Sequence, residues 1–457
     1  MYARHTSATL VLAAVLVGGC QQPRADFFDR AVVGEVMMHA ELAANLRAIA
    51  VPGGRISGTE NAERAAAYVA DKCRAYGLKN VHCEPFEMQS WIDRKLTVAV
   101  LGESPRVLDA CLPLGRTMST PPEGVTAELL DMGEAKAEDF ERLAEELRGK
   151  FAFVRNGETR RMELMRLACR HGAAGLVVMT AAGEAPLIGN GHAQPRPEPG
   201  IVIPHDEDLL ARLERKEPVR LKIDLEAENW TARPNNVVAE LPGRGPLARE
   251  VVILCAHLDG WHLGEAALDN GSGSAAILET ARALAVLARG TAGTPAWQPR
   301  RTVRFIWFMG EELGLCGSKA YVEQHAAELG TIVAVINVDM PGSPRRIAIV
   351  GHPELADFMT AVRNELAAYE LEQSVSESRG DHSDYAPFMR QGVATMMVWG
   401  ELGSGAKHYH RAGDKYETVD RRATVQSSAV FGVMVRRLAD ARTRPTVRNA
   451  PMPPAEE

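Results

Sequence analysis

The apolar run at 251–256, Val-Val-Ile-Leu-Cys-Ala, constrains this chain more than any other stretch: it has no polar face, and it runs straight into His257-Leu258-Asp259. A short strand without alternation is buried on both faces, which requires a sheet covered by helices on either side. Asp269 follows ten residues after Asp259, just ahead of a helix-like run that begins at Gly271. Open α/β sheets gather their chemistry at the carboxyl ends of their strands, so a His and two carboxylates here predict a site. Three downstream segments have the same form: 302–309 before Glu311-Glu312, 333–338 before Asp339, and 395–399 before the loop that carries His410. The chain reads as a scaffold for a metal site assembled from strand ends.

Strands and helices alternate around that run. Strands are expected over 236–240, 251–256, 302–309, 333–338, 347–350 and 395–399, with helices over 272–288, 317–325, 353–369 and 424–441. This alternation predicts an α/β fold with a mostly parallel central sheet flanked by helices. Upstream, helical spacing predicts one helix over 27–50, stopped by Pro52-Gly53-Gly54, and another over 60–76, closed by Gly77; strands are expected over 81–88 and 96–101. From 111 to 228 the texture becomes β-rich, with short strands, turns, a helix over 162–171 and a Gly- and Pro-rich loop over 189–199, but no ligand-like cluster. At 457 residues the chain exceeds one ordinary domain. We therefore read 111–228 as an insertion that divides a catalytic domain into 21–110 and 229–441, followed by a Pro-rich, disordered tail over 442–457.

Residues 1–20 read as an export signal: Arg4 and His5, a short apolar run over 9–17, then Gly18-Gly19-Cys20. That run is too short to span a bilayer as a permanent helix. Val17-Gly18-Gly19-Cys20 also resembles a bacterial lipobox, which implies a lipid anchor on Cys20 and a place in the cell envelope, in the outer membrane or periplasm, with secretion as the alternative. Export permits disulfides, and of the six cysteines after Cys20 the pair Cys73 and Cys83 is the candidate bridge. The net charge of -7 comes without a long acidic or basic block, which argues against a nucleic-acid partner.

Taken singly, the polar residues at the strand ends are weak signals. His257 can bind metal through one ring nitrogen while Asp259 takes the proton on the other and fixes the tautomer. Asp269, in Asp269-Asn270-Gly271-Ser272, would in isolation be a helix N-cap; beside His257 it is a candidate to bridge two metals. Glu311 and Glu312 diverge at a bend, so one can ligate while the other faces the attacking water as general base. Asp339 alone would be a turn residue and His410 alone a surface histidine. Their order along one sheet makes them a specific constellation.

With that order in view, the sequence resembles the di-zinc aminopeptidase family, whose members include bacterial secreted leucyl aminopeptidases, carboxypeptidase Q and glutamate carboxypeptidase. The resemblance covers roughly 28–441. GGRISGTENAERAAAYVADKCRAYGL is similar to the family's N-terminal segment, and GKFAFVRNG with CRHGAAGLVVMT resembles the protease-associated domain often inserted in peptidases. HSDYAPFMRQGV resembles the family's S-D-H-x-P-F segment but departs from it at Tyr385, where His is usual. The resemblance implies two zinc ions, with His257 and Asp339 on one, Glu312 and His410 on the other, and Asp269 between them. Glu311 would then be the general base and Tyr409 the oxyanion donor, with Asp259 behind His257. His410, in Tyr409-His410, matches better than His408.

The function implied is hydrolysis of peptide bonds by a zinc-held water, most directly by an aminopeptidase releasing N-terminal residues from a peptide substrate. His257-Leu258-Asp259-Gly260-Trp261 looks closest to the carboxypeptidase Q branch, which makes a dipeptidase or carboxypeptidase the alternative. A catalytically inactive binding protein of the same fold would be marked by lost ligands, and none is lost here.

Overall fold

The computed structural model describes residues 25–156, 160–371, 373–378 and 380–451; the export signal, Cys20 and the last six residues of the expected tail lie outside these. Two eight-stranded sheets organise the described chain. The main sheet runs in the order Lys79–Pro85, Asn235–Leu241, Thr302–Phe308, Val251–His257, Ile332–Asn337, Thr395–Glu401, Ser343–Val350, Ser374–Ser378. Its four middle strands are parallel, and antiparallel strands border them on both sides.

The run that anchored the sequence reading is the Val251–His257 strand, and every residue of it is buried. Because side chains alternate across a strand, Val252, Leu254 and Ala256 enter one apolar layer and Val251, Ile253 and Cys255 the other. On the first face lie Gly273–Arg289, Arg421–Asp440 and the N-terminal helices. The strand register brings His257 level with Phe308 at the end of the neighbouring strand, and Cys255 level with Asn337 on the other side. The ligand-bearing turns therefore open along one edge of the sheet.

Four expectations change. The helix expected over 27–50 is two helices, Ala25–His39 and Leu42–Ile49. They part at Glu41, whose N–H turns to Glu279 Oε2 at 2.9 Å while its carboxylate receives Lys72 and Tyr76. Cys73 and Cys83 are free: Cys73 is buried in the core and Cys83 is exposed. The tail is docked where it is described: Arg444 donates to Gly330 and Ile332, Thr446 to Val333, and the Asn449 N–H to Gly392.

The second sheet does not coincide with the expected 111–228 boundary. Met88–Leu101 pairs along its length with Arg220–Ala232, so the sheet opens 23 residues before 111 and closes past 228. Its order is Arg106–Leu108, Met88–Leu101, Arg220–Ala232, Val125–Asp131, Phe151–Arg155, Gly175–Met179, Gly200–Ile203, Leu112–Pro113. Alternation again feeds two layers: Phe151, Phe153, Val177 and Ile201 on one face, Ala152, Val154, Leu176 and Val202 on the other. The second sheet thus carries an apolar cluster of its own on each face.

The N- and C-terminal helices are locked together by charge. Asp29, fully buried, receives Arg436 Nε at 2.6 Å and Arg437 Nε at 2.7 Å. Removing one partner of a buried ion pair leaves the other charge stranded. Asp29→Ala should lower the unfolding free energy by about 3–5 kcal/mol, read from the denaturant midpoint. An unchanged midpoint would contradict this account of how the helices are joined.

Candidate metal centre

The turns after four parallel strands bring five ligand-type side chains together. His257 Nε2 lies 3.2 Å from Asp269 Oδ1 and 3.5 Å from Asp339 Oδ1. His410 Nε2 lies 3.0 Å from Asp269 Oδ2 and 3.2 Å from Glu312 Oε2. Asp269 thus stands between two imidazoles, one on each oxygen. Glu311 and Tyr409 line the same cleft, which encloses about 540 Å³. The Tyr409 ring stacks on His410 with centroids 3.8 Å apart. His408 lies outside this cluster, against Gly413.

Local sequence explains each placement. Gly310 turns the chain out of its strand with φ +76°, where a Cβ would meet Met88 and Cys316, and Glu311 and Glu312 follow in the loop before the helix at Cys316–Gln324. Their backbone N–H groups donate to the two oxygens of Asp259, at 3.2 and 3.3 Å. Asp259 therefore does more than the sequence predicts. Its backbone carbonyl, 3.2 Å from His257 Nδ1, is nearer that ring than its carboxylate at 3.6 Å. Asn270, not Asp269, makes the local cap bond, accepting from Gly273 N–H at 3.0 Å. Its amide also spans to the strand end at Asp339, donating to Val338 and accepting from Met340. Asp269 is left free to face the histidines.

Several supporting residues were given no role by the sequence. Asp414 accepts from Leu268 N–H at 2.6 Å and Asp269 N–H at 3.0 Å. Burial holds its carboxyl up, at about 6. Arg55 is fully buried and donates to four backbone carbonyls, those of Ile49, Leu258, Glu265 and Ala266, bracing both sides of the 258–269 loop. Burial pushes its guanidinium down to about 10. Ser383 donates to Asp339 Oδ2 at 2.8 Å and receives Asn337 at 2.9 Å. Arg55 and Ser383 lie within the segments that resemble the family, and Asp414 lies four residues after His410, but nothing in the sequence showed what each of them bonds. Tyr385 is buried and its hydroxyl meets the His382 N–H at 3.4 Å.

The donor set fits a divalent cation. One atom each from His257, Asp269 and Glu312 lie within 4.8 Å of one another. Glu312 Oε1 and Asp339 Oδ1 are buried with no hydrogen-bond partner. Such oxygens are costly unless a cation meets them. Imidazole and carboxylate without thiolate suit an open, reactive site better than a closed structural one.

An open α/β sheet with this cluster at its strand ends defines a metal-dependent hydrolase. Residues 236–435 match the model of peptidase family M28. Over those residues the chain is an M28 peptidase domain. Carboxypeptidase Q of Bos taurus is 27% identical over 405 residues, covering 85% of this chain and 83% of that protein. Among solved structures, a peptidase M28 precursor from Shewanella amazonensis SB2B aligns over 94% of this chain and 99% of its own, with TM-score 0.78 and 22% identity. BSAP, a zinc aminopeptidase from Bacillus subtilis, aligns over 93% and 98%, with TM-score 0.66 and 23% identity. Both structures have the same fold.

The electrostatics predict how metal enters. Burial opposes charge on His410, but Glu312 and Asp269 outweigh it and push the imidazole up to about 10; His257 is raised against its burial by Glu311, Asp259, Asp269 and Asp339. Burial and neighbouring Asp269 raise Glu312 to about 7. The metal-free site therefore holds protons at pH 7 that ligation must expel, since only neutral imidazole binds metal. Apparent metal affinity should rise with pH up to these values. Calorimetric metal titrations in buffers of different ionisation heat should give different apparent enthalpies; equal heats would rule out proton release.

Proposed function

We propose that this chain is an exported di-zinc exopeptidase that removes N-terminal residues from peptides. One observation carries the reading: two half-clusters, His257 with Asp339 and Glu312 with His410, meet on the two oxygens of Asp269. Each half also contains one carboxylate oxygen without a hydrogen bond. In this reading His257 and Asp339 would hold one zinc ion, Glu312 and His410 the other, and Asp269 would serve both. Bound zinc supplies Lewis acidity toward the scissile carbonyl and lowers the pKa of the attacking water.

The protein supplies the rest. Glu311 faces the cleft and lies beside the ligand Glu312 in sequence. It takes the proton of the attacking water and returns it to the leaving amine. Tyr409 is held well above the usual phenol range by burial and by Asp269 and Glu312 nearby, so it remains a hydrogen-bond donor to the developing oxyanion. Asp259 keeps His257 and the Glu311-Glu312 bend in place. Glu311→Gln should keep its metal and lose about 10²–10⁴-fold in kcat. Tyr409→Phe should lose about 10²–10³-fold. A Glu311→Gln enzyme with full turnover would remove Glu311 from the mechanism.

The aminopeptidase reading draws on Asp381 and Glu163 in the cleft lining, where an ammonium terminus would compete with Arg390, 2.9 Å from Asp381, and Arg160, 3.7 Å from Glu163. A second reading, as a carboxypeptidase or dipeptidase, draws on Arg160 at the same wall and on the carboxypeptidase Q relative that runs along most of the chain. Dipeptides blocked at one end separate them. Cleavage that survives carboxyl blocking and fails with amino blocking fits the aminopeptidase; the reverse fits the carboxypeptidase. The proposed address rests on residues 1–20 and on lipidation of Cys20. Among the described residues no helix is long and apolar enough to cross a membrane. If Cys20 is the anchor, Cys20→Ser moves the protein from the membrane pellet to the soluble fraction.

A further inference from the structure

The two halves of the cluster are held by different parts of the molecule. Asp339 is oriented from within the main sheet, by the Asn337 to Ser383 to Asp339 chain of hydrogen bonds, and His257 by the Asp259 carbonyl at the end of its own strand. Glu312, whose N–H donates to Asp259, and His410 are also gripped from outside that sheet. His410 Nδ1 donates to the Ile188 carbonyl at 2.8 Å, and the Ile188 N–H returns a bond to the His410 carbonyl at 3.0 Å. Two residues on, the Asn190 amide donates to the Glu312 carbonyl. Both residues lie on a loop of the second sheet, between the Gly175–Met179 and Gly200–Ile203 strands.

That loop is stiff. Gly115 clamps it from both sides, donating to Gly189 at 2.8 Å and accepting from Gly191 at 3.1 Å. Arg161 donates to Leu187 at 2.9 Å, with its guanidinium so close over Gly189 that a Cβ there would lie 2.1 Å from it. Ile188 itself is fully buried. A loop fixed this firmly and bonded reciprocally to a ligand imidazole sets the tautomer and ring angle of His410, leaving Nε2 toward Asp269 and Glu312. Partners of this kind change metal affinity by about 10–100-fold when lost.

We infer that the 187–191 loop of the second sheet is the positioning element for the Glu312/His410 half-site, so that one metal position depends on the docked second sheet and the other does not. Asn190 is a positioning residue acting through Glu312, not a ligand. The second sheet is on this view more than a wall of the cleft: it sets the occupancy of one ion. The inference rests on the two-ion reading above.

Metal affinity measured by chelator competition tests it, with no need for turnover. The wild type is titrated first: two equivalents uphold the two-ion reading, and a single equivalent refutes that reading separately from the loop's role. Asn190→Ala is then placed in two backgrounds. With His257→Ala, where the remaining ion relies on Glu312 and His410, Asn190→Ala should weaken binding about tenfold or more. With His410→Ala, where the remaining ion relies on His257 and Asp339, it should change nothing. Equal weakening in both backgrounds, or none in either, overturns the inference. Arg161→Ala, which frees Leu187, gives the same readout should Asn190→Ala fail to fold.

Discussion

The contact between Asp269 and two histidines, one on each carboxylate oxygen, is the interaction on which the site depends. His257 and His410 are more than 150 residues apart in the chain. No local preference can bring them together; only the parallel order of the strands at the middle of the main sheet does so. Buried charge of this density is unfavourable unless each group is bonded or meets a cation. The surrounding structure follows from that demand.

Much of the bonding is supplied by the backbone. Asp259 collects the amides of Glu311 and Glu312, Asp414 those of Leu268 and Asp269, and Arg55 serves four carbonyls around the same loop. Each arrangement uses one buried polar side chain to tie a ligand-bearing turn to a neighbouring element. Buried polar groups that are fully bonded rigidify what they connect, so the ligands are held in place before any substrate arrives. The second sheet takes part through Ile188 and Asn190, which joins the two sheets at the candidate site.

Much of this architecture was legible in the sequence, for identifiable reasons. Unalternating runs such as 251–256 admit few other placements, and a strand buried on both faces must end where the chain turns. His257, Asp269, Glu312, Asp339 and His410 each follow or lie near such an end, and the structure gathers them into one cluster. Where the reading went astray, long-range contacts overrode local pattern. The helical spacing of 27–50 continues across Glu41, but Glu279, Lys72 and Tyr76 draw that residue out of the helix. The Pro-rich tail has the composition of disorder, yet Thr446 and Asn449 find backbone partners on the main domain.

Sequence by itself determined the types of candidate ligand, their order, and the strands that carry them, because burial on both faces and ligand chemistry are both written in residue identity. Tertiary structure alone decided which side chains hold those ligands. Arg55, Ser383, Asp414, Ile188 and Asn190 act through bonds to residues distant along the chain. Ile188 acts through its main chain, which every residue possesses, so its identity carries no trace of the role. A hydrogen bond from a common polar side chain to a distant backbone group leaves no pattern along the chain, and only the folded arrangement assigns it.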